Sequence, residues 1–426
     1  MKSTALCIDK PDLPARQGSL FSRAARRLLL TRLRDLRRGQ LVLIDGNHRY
    51  VFGTPDAVFQ KPVTITVWND AFYYKVLVQD ALGAGEAYMD GYWECDDLSR
   101  LIELLLYNGL HQRKIGSGMP WLVKPLHILQ RYLNRNSLKG SRRNIGAHYD
   151  LGNDLFELFL DETMMYSCGI FQHGETSLRQ ASEAKLALIC RKLQLKPSDH
   201  VLEIGTGWGG FALYAAQNFG CKVTTTTISR QQYDYTAQRI REAGLEDRIT
   251  LLFRDYRELD GSFDKLVSIE MIEAVGHEHF DTYFRKCSQL LQADGIMLLQ
   301  AITIADQRYA IAKRTVDFIQ RYIFPGGCLP SVAALSDSIA RKTDMRIYHL
   351  EDIGTHYATT LQHWRERFFA RLDDVRQLGY PERFIRMWNY YLSYCEGGFR
   401  QQSIGTVQLL LTKPRSLREP LTCPEY

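Results

Sequence analysis

The chain has 426 residues and a net charge of +6 at pH 7, a length that favours two domains over a single core. Its nine cysteines are odd in number, scattered and without a Cys-x-x-Cys pair, which argues against a disulfide framework and a structural zinc site. We find no secretory signal and no apolar run of about eighteen residues, so we expect a cytoplasmic protein that does not span a membrane.

Two basic segments stand out near the beginning of the chain. Within a leader over residues 1–40, the stretch from Phe21 to Arg38 holds seven arginines and one acid, with leucines on one helical face at Leu29, Leu33 and Leu36. We predict a basic amphipathic helix there. A linker over 111–143 contains eight lysines or arginines and no acid. Each segment could bind an anionic partner, either lipid headgroups or nucleic acid. The equally favoured alternative is that the first segment is a solvated helix and the second a plain linker.

A small α+β domain is predicted over residues 41–110. The runs LVLID and RYVFG flank a turn at 46–48, and VTITVW and FYYKVLVQ flank a second turn at 69–71, so we expect two β-hairpins. Helical patterns follow through Leu106.

From His200 onward, apolar strand patterns alternate with helical ones. Strands are expected at 201–205, 222–228, 249–255, 263–270 and 295–303, and helices begin at Gly210, Ser229 and His277. This order predicts a parallel, doubly wound sheet with ligands at the carboxyl ends of its strands. Further helical segments lead to a last strand at 407–413. No crossover helix follows it, so we expect a terminal antiparallel hairpin.

The first of these strands runs into the sequence VLEIGTGWGG, in which Gly205, Gly207 and Gly210 match G-x-G-x-x-G. An NAD site requires an acid about twenty residues later, but the chain has threonines at 224–227. A phosphate-binding P-loop would require G-K-[ST], which is also missing. A nucleoside without a pyrophosphate remains, and S-adenosylmethionine is the common one.

Several longer motifs resemble the cyclopropane-fatty-acyl-phospholipid synthase family. They span residues 146–414 in order and comprise NIGAHYDLGNDLFELFLDETMMYSCGIF, VLEIGTGWGG, TISRQQ, RDYREL, SIEMIEAVGHEHFDTYF, RYIFPGGCLPS, HYATTLQHW and YYLSYCEGGF. The resemblance implies a class I methyltransferase-like catalytic domain over 144–426. It also implies transfer of a methylene group from S-adenosylmethionine to the double bond of an unsaturated phospholipid acyl chain, which forms a cyclopropane.

The same resemblance implies where the methyl donor binds. The residues expected to contact S-adenosylmethionine are Tyr166, Ser167, Gly205, Thr206, Gly207, Gly209, Thr227, Ser229, Gln232, Asp255 and Tyr256. Glycines suit close approach of the ligand to the backbone, and Asp255 can accept a hydrogen bond. Ser229 and Gln232 also fit a helix capping box, an alternative that is compatible with ligand binding.

Members of the family hold a bicarbonate ion that removes the proton after methyl transfer. By motif match, its binding residues would be Cys168, Glu273, Gln300, Ile302 and Tyr357. Many ring-forming members have histidine where this chain has Gln300, and glutamine cannot relay a proton at neutral pH. If a chain carbon loses the proton instead, we expect a methylene-branched product or, after reduction, a methyl-branched one.

The remaining expectations concern Cys395, metals and partners. Cys395 matches a family cysteine, but the alkene is itself the nucleophile, so a structural or pocket-lining role is favoured. His277 and His279 lie on different sides of a helix, and no metal site is expected. We expect binding to unsaturated phospholipids at the anionic inner face of the membrane, as a peripheral protein. A homodimer is compatible with this. A nucleic-acid methyltransferase is a distant alternative that no base-flipping motif supports.

Overall fold

The computed structural model describes residues 20–109, 152–172 and 176–417. Its contacts divide the chain into two compact units. The first unit comprises Met1–Gln130, Val316–Ile323 and Trp364–Ser403, and the second comprises Arg131–Thr315, Phe324–His363 and Ile404–Tyr426. The predicted basic linker over 111–143 lies outside the described residues, as do residues 1–19 of the leader.

The first unit contains a four-stranded sheet and helices from three parts of the chain. Its elements are α1 (Leu20–Leu33), β1 (Gly39–Asp45), β2 (His48–Thr54), β3 (Val63–Val67), α2 (Ala71–Met89), β4 (Trp93–Cys95) and α3 (Leu98–Tyr107). The strand order is β2-β1-β3-β4. β1 pairs antiparallel with β2, as expected for the first hairpin, and parallel with β3.

The second predicted hairpin is wrong. Residues 71–89 form the helix α2 rather than a strand, although FYYKVLVQ is rich in aromatic and β-branched residues. β3 instead pairs antiparallel with the short strand β4. Phe72, Tyr73 and Val76 are buried on one side of α2, at the spacing of a helix. Packing of this apolar face therefore outweighs the local strand preference.

The predicted basic helix is confirmed as α1, but its leucine face does not face outward. Leu29 and Leu33 are buried within the unit, as is Leu36, which lies beyond the helix end. Phe21 and Leu28 are exposed to 78% and 38%. A partner of this helix would therefore have to bind its outer surface, which carries Phe21 and Leu28.

The predicted single catalytic domain over 144–426 differs from the division that the contacts give. Four of the helices that follow β9 (Leu291–Ile304) of the main sheet in sequence and precede its last strand are α10 (Phe318–Tyr322), α12 (Gly354–Ala370), α13 (Leu372–Gln377) and α14 (Glu382–Arg400). Of these, α10, α13, α14 and the end of α12 belong to the first unit. The contact of α14 with α3 is close, because a Cβ atom at Gly397 would come within 2.7 Å of Cβ of Ile102. Arg386 on α14 also donates to Glu94 at 3.0 Å.

The second unit contains the predicted doubly wound sheet. Its strands are β5 (His200–Ile204), β6 (Lys222–Thr227), β7 (Ile249–Phe253), β8 (Phe263–Ile269), β9 (Leu291–Ile304), β10 (Arg346–Asp352) and β11 (Ile404–Thr412). Its complete helices are α4 (Asn153–Phe159), α5 (Leu178–Leu193), α6 (Gly210–Phe219), α7 (Arg230–Glu242), α8 (Phe280–Leu290), α9 (Asp306–Ala312) and α11 (Val332–Lys342). The strand order is β10-β11-β9-β8-β5-β6-β7.

Strands β5 to β9 are parallel, and β11 is antiparallel to both of its neighbours, β9 and β10. This confirms the antiparallel end of the sheet that the sequence predicts. Apolar residues cover both faces of the sheet, with Leu202 and Leu266 in the core on one face and Val201 and Val267 in the core on the other. Because packed side chains cover both faces of the sheet, we look for the ligand site at the carboxyl ends of the parallel strands. None of the described helices has the length and apolarity needed to cross a membrane.

Candidate active site

The carboxyl ends of β5, β6 and β7 are joined by hydrogen bonds into one edge. The backbone N–H groups of Gly205 and Thr206 donate to the carbonyl of Thr226 at 3.1 and 3.0 Å. The Thr226 hydroxyl in turn donates to the carbonyl of Arg254 at 2.6 Å. The glycine loop and the residues after β6 and β7 therefore lie side by side, as a nucleoside ligand requires.

The glycine loop needs glycine for its backbone shape. Gly207 has φ of +54°, and no described atom lies within 4 Å of the position that a Cβ atom would take there. Gly209 has φ of +86°, and its Cβ atom would come within 2.8 Å of Cγ2 of Thr236. The loop thus packs tightly against α7 at Gly209 and leaves its backbone accessible at Gly207.

The capping box predicted at the start of α7 is half formed. Ser229 caps the helix by accepting from the backbone N–H of Gln232 at 3.3 Å. The Gln232 side chain does not return to Ser229, but accepts from the Thr227 hydroxyl at 2.9 Å. The Thr227 oxygen also accepts from the Ser229 N–H at 3.1 Å. The three predicted ligand residues therefore orient one another.

Tyr166 and Ser167 precede the predicted anion site. Tyr166 lies against Phe156 and Phe324, with ring centroids 5.3 and 6.4 Å apart. The Ser167 hydroxyl accepts from the Lys185 ammonium at 2.8 Å. Burial lowers the pKa of Lys185 to about 8, although Glu270 opposes that shift. Ser167 is thus tied to a buried lysine within the field of the neighbouring carboxylate.

Asp255 and Tyr256 follow β7, but their polar atoms are arranged differently from expectation. Both carboxylate oxygens of Asp255 accept from the Arg257 side chain, at 2.8 and 2.7 Å. Asp255 also caps the short turn that begins at Tyr256. The Tyr256 ring is buried against Tyr283 with a centroid separation of 5.3 Å. A hydrogen bond from adenine to Asp255 therefore stays a prediction.

A carboxylate that the sequence analysis did not select lies at the centre of the proposed anion site. Oε1 of Glu270, directly after β8, accepts from the Cys168 backbone N–H at 3.0 Å and from Nε2 of Gln300 at 2.8 Å. Its Oε2 accepts from the Tyr357 hydroxyl at 2.6 Å. Burial raises the pKa of Glu270, whereas these three donors lower it. The result is a partly buried carboxylate with three converging donors.

Glu270 is also held in an unusual backbone conformation. Its φ is +50°, in the left-handed region that costs a residue with a Cβ atom about 1 kcal/mol. The adjacent Met271 side chain lies beside the glycine loop, because a Cβ atom at Gly205 would come within 3.1 Å of Met271 Cγ. This turn directs the carboxylate toward Cys168 and Gln300 while its neighbour contacts the predicted cofactor loop.

The predicted acid Glu273 lies one short turn further on. Its Oε1 accepts from the backbone N–H of Ile302 at 2.5 Å. Its Oε2 is buried and has no hydrogen-bond partner among the described residues. Burial, followed by repulsion from Glu270, raises the pKa of Glu273 to about 8. A proton on Glu273 relieves the repulsion between the two carboxyl groups.

The five residues that the resemblance assigns to bicarbonate are brought together, but their donors are already used. Cys168, Gln300 and Tyr357 donate to Glu270, and Ile302 donates to Glu273. A bicarbonate at the same donors would have to displace one carboxylate and lie beside the other, which like charges oppose. The residues of this chain therefore do not fit a resident bicarbonate, because the Glu270 and Glu273 carboxylates already use the donors assigned to it.

The two predicted cysteines differ in their surroundings. Cys168 contributes its backbone N–H, and burial raises the pKa of its thiol well above the ordinary value. Cys395 lies on α14, in the first unit, whereas the Glu270 cluster belongs to the second. Burial, and secondarily Asp317, raises the pKa of the Cys395 thiol. A protonated thiol is a poor nucleophile, which supports the structural role favoured from the sequence.

His277, Glu278 and His279 form a short 3-10 turn before α8. Nδ1 of His277 lies 3.4 Å from the Glu278 carboxylate. Across residues 20–109, 152–172 and 176–417, no three His, Cys, Asp or Glu side chains are grouped as metal ligands.

Two residues of the site were missed in the sequence, and each had a detectable signal. Glu270 is an acid at the end of a central parallel strand, the position at which α/β sheets bind ligands. Lys185 interrupts the apolar face of α5 and is fully buried. A buried lysine in an apolar stripe requires a nearby partner, and here that partner is Ser167.

Comparison with known proteins identifies the family of this chain. The family model described as mycolic acid cyclopropane synthetase matches residues 136–409. Cyclopropane-fatty-acyl-phospholipid synthase of Escherichia coli K12 is 41% identical over 355 residues, which cover 83% of this chain and 88% of that protein. Tuberculostearic acid methyltransferase UfaA1 of Mycobacterium tuberculosis is 38% identical over 351 residues, which cover 81% of this chain and 82% of that protein.

Among solved structures, mycolic acid cyclopropane synthase CmaA1 complexed with SAH and CTAB aligns with a TM-score of 0.60 and 32% identity. The alignment covers 64% of this chain and 98% of that one. It confirms the class I methyltransferase fold and supports S-adenosylmethionine as the cofactor. The chain therefore belongs to the mycolic acid cyclopropane synthetase family and is a methyltransferase similar to cyclopropane-fatty-acyl-phospholipid synthase.

Proposed function

We propose that this enzyme transfers the methyl carbon of S-adenosylmethionine to the double bond of an unsaturated phospholipid acyl chain, and that Glu270 accepts the proton lost afterwards. The observation that carries this proposal is the convergence of three donors on the carboxylate of Glu270, whose neighbour Met271 lies against the predicted cofactor loop. A base fixed in this position suits an intermediate that must lose one proton before water reaches it.

The chemistry balances without a further reactant. The alkene π electrons form a bond to the sulfonium methyl carbon, the carbon–sulfur bond breaks, and S-adenosylhomocysteine leaves. One former alkene carbon then carries the positive charge. Glu270 takes a proton from the new methyl group, and the C–H electrons close a cyclopropane ring. Lys185 is the nearby cation that balances the carboxylate before proton transfer.

A branched product is the second candidate, and the name of one relative supports keeping it. The relative UfaA1 is named as a tuberculostearic acid methyltransferase. If a hydride shifts from the methyl-bearing carbon to the cationic carbon before the methyl group loses a proton, the product carries a methylene branch on the acyl chain. Proton loss from a chain carbon gives a methyl-branched alkene, not the methylene expected from the sequence analysis. All three products need one base.

Lipid analysis in a bacterium without its own cyclopropane enzyme tests the proposal. Parallel cultures expressing the protein receive unlabelled methionine, for proton NMR of the fatty acid methyl esters, or methionine with a deuterated methyl group, for gas chromatography with mass spectrometry. Upfield ring protons and retention of two deuteriums support the cyclopropane. Vinylidene protons support the methylene, and three retained deuteriums identify the methyl-branched alkene. Unchanged lipids contradict the proposed function.

The enzyme would reach its substrate at an anionic membrane surface. The support is the outer face of α1, where exposed Phe21 and Leu28 are accompanied by exposed Arg23 and Arg27. Apolar side chains between arginines suit insertion among anionic headgroups.

Sedimentation with phosphatidylglycerol vesicles tests this contact. The double variant Phe21→Ser with Leu28→Ser should bind vesicles more weakly than the parent protein. Ile311→Ser is the matched control, because Ile311 is 66% exposed in the second unit. Equal binding by the double variant and the parent would contradict a role for α1.

A further inference from the structure

A row of polar residues on three neighbouring strands of the main sheet, β10, β11 and β9, leads to Glu270 directly after β8. In the strand register, Gln300 on β9 lies opposite Gln408 on β11 and opposite Ile269 on β8. Gln408 in turn lies opposite Glu351 on β10. Opposed residues on neighbouring strands place their side chains on the same face of a sheet. The register therefore aligns polar side chains where the surrounding core is apolar.

These side chains form a continuous hydrogen-bonded chain. The Lys192 ammonium, at the end of α5, donates to Oε1 of Gln408 at 2.7 Å and also pairs with Glu351. Nε2 of Gln408 donates to Oε1 of Gln300 at 2.9 Å. Nε2 of Gln300 donates to Oε1 of Glu270 at 2.8 Å. Both glutamines are fully buried, and Lys192 is 5% exposed.

Lys192 determines which atom donates and which atom accepts in each hydrogen bond of this row. An ammonium group only donates, so the Gln408 oxygen must face Lys192 and its amide nitrogen must face Gln300. The Gln300 oxygen is thereby occupied, and its nitrogen must face Glu270. If either amide rotated, two oxygens or two N–H groups would meet without a hydrogen bond, which is costly for buried groups. Gln300 is therefore held as a donor.

We propose that Lys192, Gln408 and Gln300 act as positioning residues that keep Oε1 of Glu270 an acceptor and leave Oε2 as the atom that receives the substrate proton. Oε1 already accepts from Gln300 and from the Cys168 N–H, so a proton there would displace one of these donors. Oε2 accepts from the Tyr357 hydroxyl, which can rotate and accept instead. The proposal rests on the proposed role of Glu270 as the base.

The other titratable groups around Glu270 come from several elements. They are Lys185 on α5, the Cys168 thiol, Tyr357 on α12 and Glu273 after β8. None of them belongs to the chain that begins at Lys192. A substitution at Gln408 therefore changes the orientation of Gln300 without removing any of these groups.

The test is Gln408→Glu in the full-length protein. The new carboxylate pairs with Lys192 but cannot donate to Gln300, so Gln300 turns its nitrogen toward it and its oxygen toward Glu270. The pKa of Glu270 should then rise by about one unit, a tenfold change in its protonation ratio. The acid limb of the kcat–pH profile with phospholipid vesicles should shift upward equally, while the Kd for S-adenosylmethionine stays unchanged.

Lys192→Met provides a second variant, in which the direction of the chain is lost without a new charge near Gln300. It should also shift the acid limb upward, by less than Gln408→Glu. Lys196→Met is the matched control, because Lys196 is exposed near the same helix end, and it should leave the profile unchanged. An unshifted limb in folded Gln408→Glu protein overturns the positioning role, as does an equal shift in Lys196→Met.

Infrared difference spectra separate this proposal from the proposed function. The spectra are recorded without lipid. The protonated carboxyl band that is absent from Glu270→Gln reports the protonation of Glu270. If that band titrates at higher pH in Gln408→Glu than in the parent, the positioning role of Lys192, Gln408 and Gln300 is supported even where the parent does not alkylate lipids. If the parent alkylates lipids but the band does not move, the positioning role fails and the proposed function stands.

Discussion

Replacing Glu270 by glycine tests whether this side chain occupies the place of a bound anion. The substitution removes the carboxylate and frees three donors, from Cys168, Gln300 and Tyr357. The backbone tolerates it, because φ at this position is +50° and glycine adopts that region without penalty. About 1 kcal/mol of backbone strain is relieved, which partly offsets the three lost hydrogen bonds. The variant should therefore fold and bind S-adenosylmethionine.

Loss of a general base lowers kcat by about 10²- to 10⁴-fold, and we expect a decrease in that range for Glu270→Gly. The assay measures S-adenosylhomocysteine release with phospholipid vesicles in buffer freed of carbon dioxide. Added bicarbonate or formate should restore activity, because a small anion can then use the freed donors. Restoration by about tenfold or more is expected, since anions recover part of a missing carboxylate's effect.

Glu270→Gln is the matched control for rescue. Its amide fills the same space and retains an acceptor for the Cys168 N–H, so anions should not restore its activity. Parental activity of Glu270→Gly in bicarbonate-free buffer would refute the assignment of Glu270 as base. Failure of both anions to rescue a folded, cofactor-binding variant would refute the idea that Glu270 and a bound anion use the same donors.

Three further predictions concern residues around this centre. Ser229→Ala removes the cap on the Gln232 N–H and should lower the unfolding free energy by about 1 kcal/mol in urea titrations, while Ser229→Asn should not. Glu273 has a folded pKa of about 8 against an ordinary 4.5, so the folded state binds more protons between these values. The unfolding free energy should fall as pH rises through that range, and Glu273→Gln should flatten this slope; an unchanged slope would contradict the assignment. Thr225→Val removes the 2.6 Å hydrogen bond to buried Glu203 and should cost about 1 to 3 kcal/mol by urea unfolding, with Thr225→Ser close to the parent.

The catalytic sheet could be predicted from the sequence because its signals are local and consistent. Strand β5, the glycine loop and α6 follow one another with the expected composition, and the cap at Ser229 marks the start of α7. The strand prediction for residues 71–79 was wrong because the composition of this segment favours a strand, whereas its burial pattern suits a helix. Tertiary packing resolved a conflict that a local pattern cannot.

The site was predicted in part, for a reason that Glu270 and Glu273 illustrate. Motif resemblance selected Glu273 and the donors at Cys168 and Tyr357, which the structure does bring together. A resemblance identifies only positions that match a family motif. It did not identify Glu270, because the role of this residue depends on which donors reach its carboxylate. Those donors come from residues up to 102 positions away, and only the folded sheet brings them within hydrogen-bond distance.

The late position of β11 in the chain has a consequence for synthesis on the ribosome. This strand inserts between β9 and β10, which both precede it, and supplies Gln408. A nascent chain that has not yet reached residue 404 therefore exposes an unpaired edge of β9 and leaves the Gln300 amide without its partner. Methyl transfer should begin only when translation has delivered the last strand, so a prematurely terminated chain would be inactive and prone to aggregate through that edge.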